Sequence, residues 1–246
     1  MRDHPVEQKD DRLAGAALLL GALLCAGLVG LGWKLSSAIV GIKALERTVT
    51  VKGLSERDVS ADIAIWPIRF NEAGNDLNKL AAALQQKNNM IIEFLRNKGF
   101  TDTEISTSVP SITDRQAQGW SDSDHGLRYA GTSTITVYTQ NVDRVRSAMN
   151  EAVELGKAGI AVTAQDYEAK TEFLYTRLNE VKPAMIEEAT RNAREVAEKF
   201  ATDSQSKLGR IKTASQGQFS IENRDSNTPH IKKVRVVSTV EYYLSD

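Results

Sequence analysis

The sequence predicts an α+β fold: antiparallel or mixed sheets with packed helices, in the order roughly β-β-α-β-β-α-β-α-β-β, preceded by one N-terminal transmembrane helix. Three observations predict it. Residues 13–33 form an uncharged apolar run. Much of the later chain alternates apolar and polar residues at the two-residue period of strands. Between those stretches, three segments carry the 3.6-residue period of helices.

The apolar run, Leu13 to Trp33, reads LAGAALLLGALLCAGLVGLGW. A helix of that length spans a hydrocarbon core of about 30 Å. Arg12 and Lys34 bracket it, and Trp33 suits the membrane interface. Residues 1–12 are then a short tail, 34–47 a connector and 48–246 the folded domain. Charge bias does not set the direction of crossing: Arg2, Lys9 and Arg12 balance Lys34, Lys43 and Arg47. The short head favours a cytoplasmic N-terminus. A cleaved signal peptide is the competing reading, since Ser36-Ser37-Ala38 has the small-x-small pattern of a cleavage site. The run exceeds the roughly 7–15 apolar residues of a signal core, which favours a retained anchor. Ala22, Ala26 and Gly30 lie four apart on one helix face, a candidate helix–helix contact.

Val49 and Val51 alternate with polar neighbours up to Gly53, a short strand. From Val59 to Phe70 both faces are apolar, as in a strand covered on both sides, and Pro67 demands an edge or a bulge. Asp76 can cap a helix in which Leu77, Leu80, Leu84, Ile91 and Leu95 keep helical spacing; Gly99 stops it. Glu104–Ile112 and Tyr129–Thr139 read as strands, with a polar turn over 116–128. Asn141–Leu155 is a helix and Ile160–Glu168 a strand. A long helix runs from about Leu178 to Lys207, with Met185, Ala189, Ala193, Val196, Ala197 and Phe200 inward. It places Pro183 in its first turns if it starts near Val181 or Lys182. Ile211–Ile221 and Lys233–Leu244 are the last strands. In the final one Val234, Val236, Ser238, Val240, Tyr242 and Leu244 share one face.

About 200 residues beyond the anchor suit one domain, or two packed halves in which the first and second parts of the chain form related β-α-β units. The net charge of −1 argues against a general nucleic-acid binder, which needs a basic field. The basic cluster Lys232, Lys233 and Arg235 reads as a solvated strand edge. The one cysteine, Cys25, lies inside the apolar run. No intrachain disulfide is possible, and the thiol-free domain suits an oxidising compartment.

No catalytic, cofactor-binding or metal site is expected. His4, His125 and His230 have no helical i, i+4 partner and no neighbouring cysteine. Asp122, Ser123, Asp124 and His125 are adjacent in a loop, without the rigid support nucleophilic catalysis needs. Glu187, Glu188, Glu195 and Glu198 read as surface partners of Arg191, Arg194 and Lys199 on one helix. Neither GxGxxG nor GxxxxGK occurs. Trp120, in the polar turn, is a candidate contact for a partner or a second copy.

Three stretches resemble the SIMPL-domain family of bacterial periplasmic or membrane-attached proteins. Residues 48–66, TVTVKGLSERDVSADIAIW, resemble its opening strands. Residues 95–107, LRNKGFTDTEIST, resemble its helix end, glycine turn and next strand. Residues 189–209, ATRNAREVAEKFATDSQSKLG, resemble its alanine-spaced helix ending in Leu-Gly. Tyr129 with the strand after it, and the last strand from Lys233 to Val237, also fit, so the match runs in order over about residues 48–244. The resemblance implies an extracytoplasmic α+β domain that tends to self-associate, sometimes in rings, with a loose link to envelope or oxidative stress. It brings no catalytic residues. The expected protein is a non-enzymatic, single-pass protein of the bacterial inner membrane with its C-terminal domain in the periplasm. Its expected partners are the membrane, further copies of itself and, in the alternative reading of a binding module, another envelope protein; an enzyme of unrecognised type is the third and least favoured reading.

Overall fold

The computed structural model describes residues 20–34, 47–118, 126–162 and 169–245. Residues 20–34 form helix α1. Then come strands β1 (Thr48–Ser60) and β2 (Ile63–Gly74), helix α2 (Leu77–Asn97) and strands β3 (Ile105–Thr107), β4 (Ser111–Asp114) and β5 (Tyr129–Thr139). Helices α3 (Val142–Glu151) and α4 (Val153–Lys157) lead to β6 (Glu172–Leu174) and α5 (Leu178–Asp203). Strands β7 (Lys207–Gln216), β8 (Ser220–Asn223) and β9 (Ile231–Ser245) end the chain.

The strands form two sheets. One has the order β3-β5-β2-β6, with β4 also on β5; the other has the order β1-β9-β7, with β8 also on β9. The α+β expectation with antiparallel sheets holds: β2 pairs antiparallel with β5 and β6, and β9 with β7 and β8.

The chain divides into two compact units, and neither is contiguous. One comprises Met1–Leu54, Glu187–Gly217 and Val237–Asp246; the other comprises Ser55–Ile186 and Gln218–Val236. This corrects the expectation of two β-α-β units following the chain halves. The elements β1, α5 and β9 each contribute to both units, a division that local periodicity does not encode.

In the larger unit, α2 lies on the β2–β5 pair. Asp76 caps the helix through Oδ1, which accepts from the amides of Asn78 at 2.9 Å and Lys79 at 3.1 Å. Such a cap is worth about 1 kcal/mol. Gly99 ends the helix with φ of +87°, a conformation that side chains with a Cβ resist. Leu84, Ile91 and Leu95 meet Trp66, Ile68 and Phe70 of β2 and Ile135 and Val137 of β5 in one core. The register places Ile68 opposite Ile135 and Trp66 opposite Val137. Burying each such side chain stabilises by roughly 1.5–3 kcal/mol. A buried polar pair crosses this core: the Ser133 hydroxyl donates to Asn88 Oδ1 at 2.8 Å.

β2 is fully buried on one face only, since Ile63, Ile65, Pro67 and Arg69 are half-buried; both faces had been expected to be covered. Pro67 behaves as expected of an edge residue. β6 pairs only Ile63–Ile65, so its ladder has ended before the proline.

The smaller unit is built on close approach. Val51, Ala193, Ala197, Val240 and Tyr242 form its core. At the crossing of β1 and α5, a Cβ on Gly53 would stand 1.8 Å from the Ala189 carbonyl oxygen. Only glycine fits there. The strand expected to end at Gly53 therefore passes through it and continues to Ser60.

Other boundaries differ for local reasons. The strand expected over 104–112 is two short ones, interrupted at Pro110, which cannot donate to a ladder. The helix expected over 141–155 breaks at Ala152. Among the described residues of 160–168, Val162 makes a single bridge to Phe70; the strand lies instead at Glu172–Leu174, and 163–168 fall outside the described residues. Helix α5 starts at Leu178, as expected, and not near Val181 or Lys182, so Pro183 lies inside the helix. It ends at Asp203 rather than Lys207, where Gln205 reverses the chain with φ of 54°. The expected strand 211–221 is β7 and β8, separated at Gly217, whose amide bonds the Val237 carbonyl at 2.8 Å.

Along α5 the inward row is Met185, Ala189, Ala193, Ala197 and Ala201. Val196 and Phe200, expected inward, are 39% and 56% exposed. A strict i, i+4 row of small residues lets the backbones touch, which turns the larger side chains of the adjacent row outward.

Candidate functional site

Two features of the described surface are candidates for function: apolar rows with no cover, and one polar cleft.

The apolar rows lie on α1 and α5. Every residue of 20–34 is exposed, including Leu23, Leu28, Val29 and Trp33. Ala22, Ala26 and Gly30 do share one face, and a Cβ on Gly30 would meet nothing within 4 Å. Cys25 is free and exposed there. Leu13 falls outside the described residues, as do residues 14–19 of the run. Among the described residues no helix is long and apolar enough to cross a membrane. On α5, Val196 and Phe200 form a second uncovered row. Beside it, Arg194 Nε donates to Glu198 Oε1 at 2.9 Å, an i, i+4 pair at the surface.

The cleft belongs to the larger unit and has a volume of about 440 Å³. Lys170, Phe173 and Leu174 line it from β6 and the residues before it. Asn223, Pro229 and Lys232 line it from β8, the β8–β9 turn and β9. Lys232 is only 9% exposed, which overturns the expectation that the basic cluster is a solvated edge. Its ammonium donates to Asn223 Oδ1, the one hydrogen bond it makes among the described residues. Burial holds that ammonium below the ordinary lysine range; Glu172 works against the shift and Lys170 with it. Lys233 is exposed. Arg235 reaches Glu56 at 3.5 Å.

The turn on the rim of the cleft is preformed. The Asp225 carboxylate accepts from the amides of Asn227 at 2.9 Å and Thr228 at 2.7 Å, from Arg224 Nε at 3.0 Å and from the Thr228 hydroxyl. The Thr228 hydroxyl, then Arg224, bring its pKa down to about 2. His230 follows the turn. Its carbonyl accepts from the Ala61 amide at 2.8 Å, and its ring meets the Phe173 ring edge-on at 6.1 Å. Burial holds its imidazole below the usual histidine value, and the nearby Arg146 charge acts in the same direction.

A second polar node ties β3 to β5. Glu104 accepts from the Thr101 amide and hydroxyl, each at 2.9 Å, and from the Thr139 hydroxyl. The Thr101 amide, then Thr139, hold its carboxyl below the usual glutamate range. Around Asp62, the Thr176 amide donates at 2.9 Å and Arg177 Nε at 3.2 Å, which fixes the start of α5. Both carboxylates are held by donors from their own neighbourhood, which gives them a structural role.

Trp120 and His125 lie outside the described residues, so the candidate contact in the 116–128 turn is not placed. Among the described residues no group of three or more His, Cys, Asp or Glu that could hold a metal ion is present. The buried lysine was missed, yet a signal existed. Lys232 has the same parity as Val234, Val236, Ser238, Val240 and Tyr242, the inward face of β9.

No curated protein matches this chain. Residues 49–242 match the family model described as SIMPL, protein of unknown function (DUF541), and the chain belongs to that family.

Proposed function

We propose that this chain is a non-enzymatic, membrane-tethered protein of the bacterial envelope. In this reading the run from Leu13 to Trp33 crosses the inner membrane once, the domain lies in the periplasm, and copies associate with one another. On the strength of the family resemblance we extend it to a role under envelope or oxidative stress. The observation that carries the tether is α1, where Leu23, Val29 and Trp33 are 71%, 70% and 78% exposed. Holding such rows in water forfeits about 25 cal/mol for each Å² of apolar surface left uncovered. A bilayer covers them, and a helix satisfies its own backbone there. Self-association is supported by Val196 and Phe200 on α5, and by the small-residue row Ala22, Ala26 and Gly30. Tethering confines copies to a surface and raises their effective concentration.

The test uses the full chain in bacterial membranes. Alkaline carbonate extraction should leave it in the membrane pellet, and protease added to spheroplasts should digest the domain. With Cys25→Ser and Phe200→Cys, a bismaleimide should give a covalent dimer, whereas Cys25→Ser with Val109→Cys, exposed on the other unit, should not. Release of the intact chain by carbonate refutes the tether. A crosslink to a different protein would replace self-association by recruitment.

A further inference from the structure

Lys232 is a buried residue whose part-buried ammonium has three donors and one acceptor among the described residues. A desolvated cation needs a compensating charge, and an isolated one is strongly unfavourable. Glu172 lines the same cleft but forms no ion pair with it. Lys170 adds a second positive charge, so Lys170, Lys232 and Glu172 together leave the cleft cationic by one unit. The remaining lining is of two kinds. Phe173, Leu174 and Pro229 are apolar, while the Asn223 amide supplies donors beside the ammonium. A volume of about 440 Å³ falls within the usual size of small-molecule sites. The Asp225 carboxylate holds the rim turn through hydrogen bonds made within the turn itself.

We infer that this cleft binds a small organic monocarboxylate with an apolar body, its carboxylate on Lys232 and Asn223 and its body against Phe173, Leu174 and Pro229. The charge balance selects one negative charge, and the apolar wall selects against a bare inorganic anion. Lys232 is then a binding residue that holds its counterion in place of water. The assignment is independent of the tether and of self-association, since every residue in it lies in the larger unit.

The experiment is equilibrium dialysis of radiolabelled phenylacetate against the full chain in nanodiscs, with empty nanodiscs subtracted. Saturable binding of one phenylacetate per chain is expected. Lys232→Met, which keeps the volume and removes the charge, should weaken it about tenfold or more, while Lys233→Met should leave it unchanged. Leu174→Trp, which fills the apolar part without touching the charge, should also abolish binding. Phenethyl alcohol, the neutral analogue, should not compete. Absence of saturable binding, unchanged affinity in Lys232→Met or in Leu174→Trp, or equal competition by the alcohol would each overturn the assignment. Lys232→Met should melt at or above the native temperature, so that lost binding is not lost folding.

Discussion

Replacing Gly53 with alanine sets a methyl carbon 1.8 Å from the Ala189 carbonyl oxygen and 2.5 Å from the Ala193 amide nitrogen. A carbon–oxygen contact relaxes at about 3.3 Å, so β1 and α5 must part by roughly 1.5 Å at their crossing. The obstacle is backbone, and no rotamer relieves it. Parting the elements loosens Val51 and Val240 from Ala193 and Ala197, which form the core of the smaller unit. Overpacking costs about 1–3 kcal/mol, and a rigid obstacle belongs at the upper end. For a chain of this size, about 3 kcal/mol lowers Tm by roughly 6–12 °C. The assay is thermal unfolding of the full chain in detergent, followed by far-ultraviolet circular dichroism. Gly156→Ala is the matched control: nothing lies within 4 Å of its Cβ, and it should stabilise by up to about 1 kcal/mol. Adding Ala193→Gly to Gly53→Ala should recover little, because the Ala189 carbonyl remains. A Gly53→Ala shift below about 2 °C, or full rescue by Ala193→Gly, would refute the crossing as described.

Three further outcomes follow from the same structure. Ser133→Ala should cost about 1–3 kcal/mol by stranding Asn88 Oδ1, and Ser133→Ala with Asn88→Leu should cost less than the sum of the two; a double-mutant cycle in urea reads the coupling. Asp225 has a folded pKa depressed from 3.8 to about 2, so its stabilisation of the rim turn is complete above about pH 4 and is lost as pH falls through about 2; a carboxyl-carbon NMR titration with its midpoint near 3.8 would contradict this. Phe200→Ser should lower association measured by analytical ultracentrifugation while leaving Tm within about 2 °C, because the ring is 56% exposed.

Local chemistry was legible where one residue decides the outcome. Asp76 marked the start of α2 and Gly99 its end, and the alternation from Val234 to Tyr242 gave the buried face of β9. Where a neighbour from elsewhere in the chain decides, the pattern misled. Val196 and Phe200 fit the helical period as well as Ala201 does, but contact with β1 selects the row that has no bulk. Gly53 looked like a terminator because its reason for being glycine lies on α5. Lys232 was read by residue type, although its parity pointed inward. The short strands β3, β4 and β6 are held by β5 and β2 rather than by their own composition, so their limits were not visible.

The smaller unit takes its last piece from Val237–Asp246. Val240 and Tyr242, which close its core, come after Val51, Ala193 and Ala197 in the sequence. The smaller unit therefore cannot close its core until the chain has been made past Tyr242, whereas the larger unit needs nothing beyond Val236. Val51, Ala193 and Ala197 wait without their cover until then. Ending the chain a few residues early should expose that face and favour capture by chaperones and proteases over a shortened but folded protein.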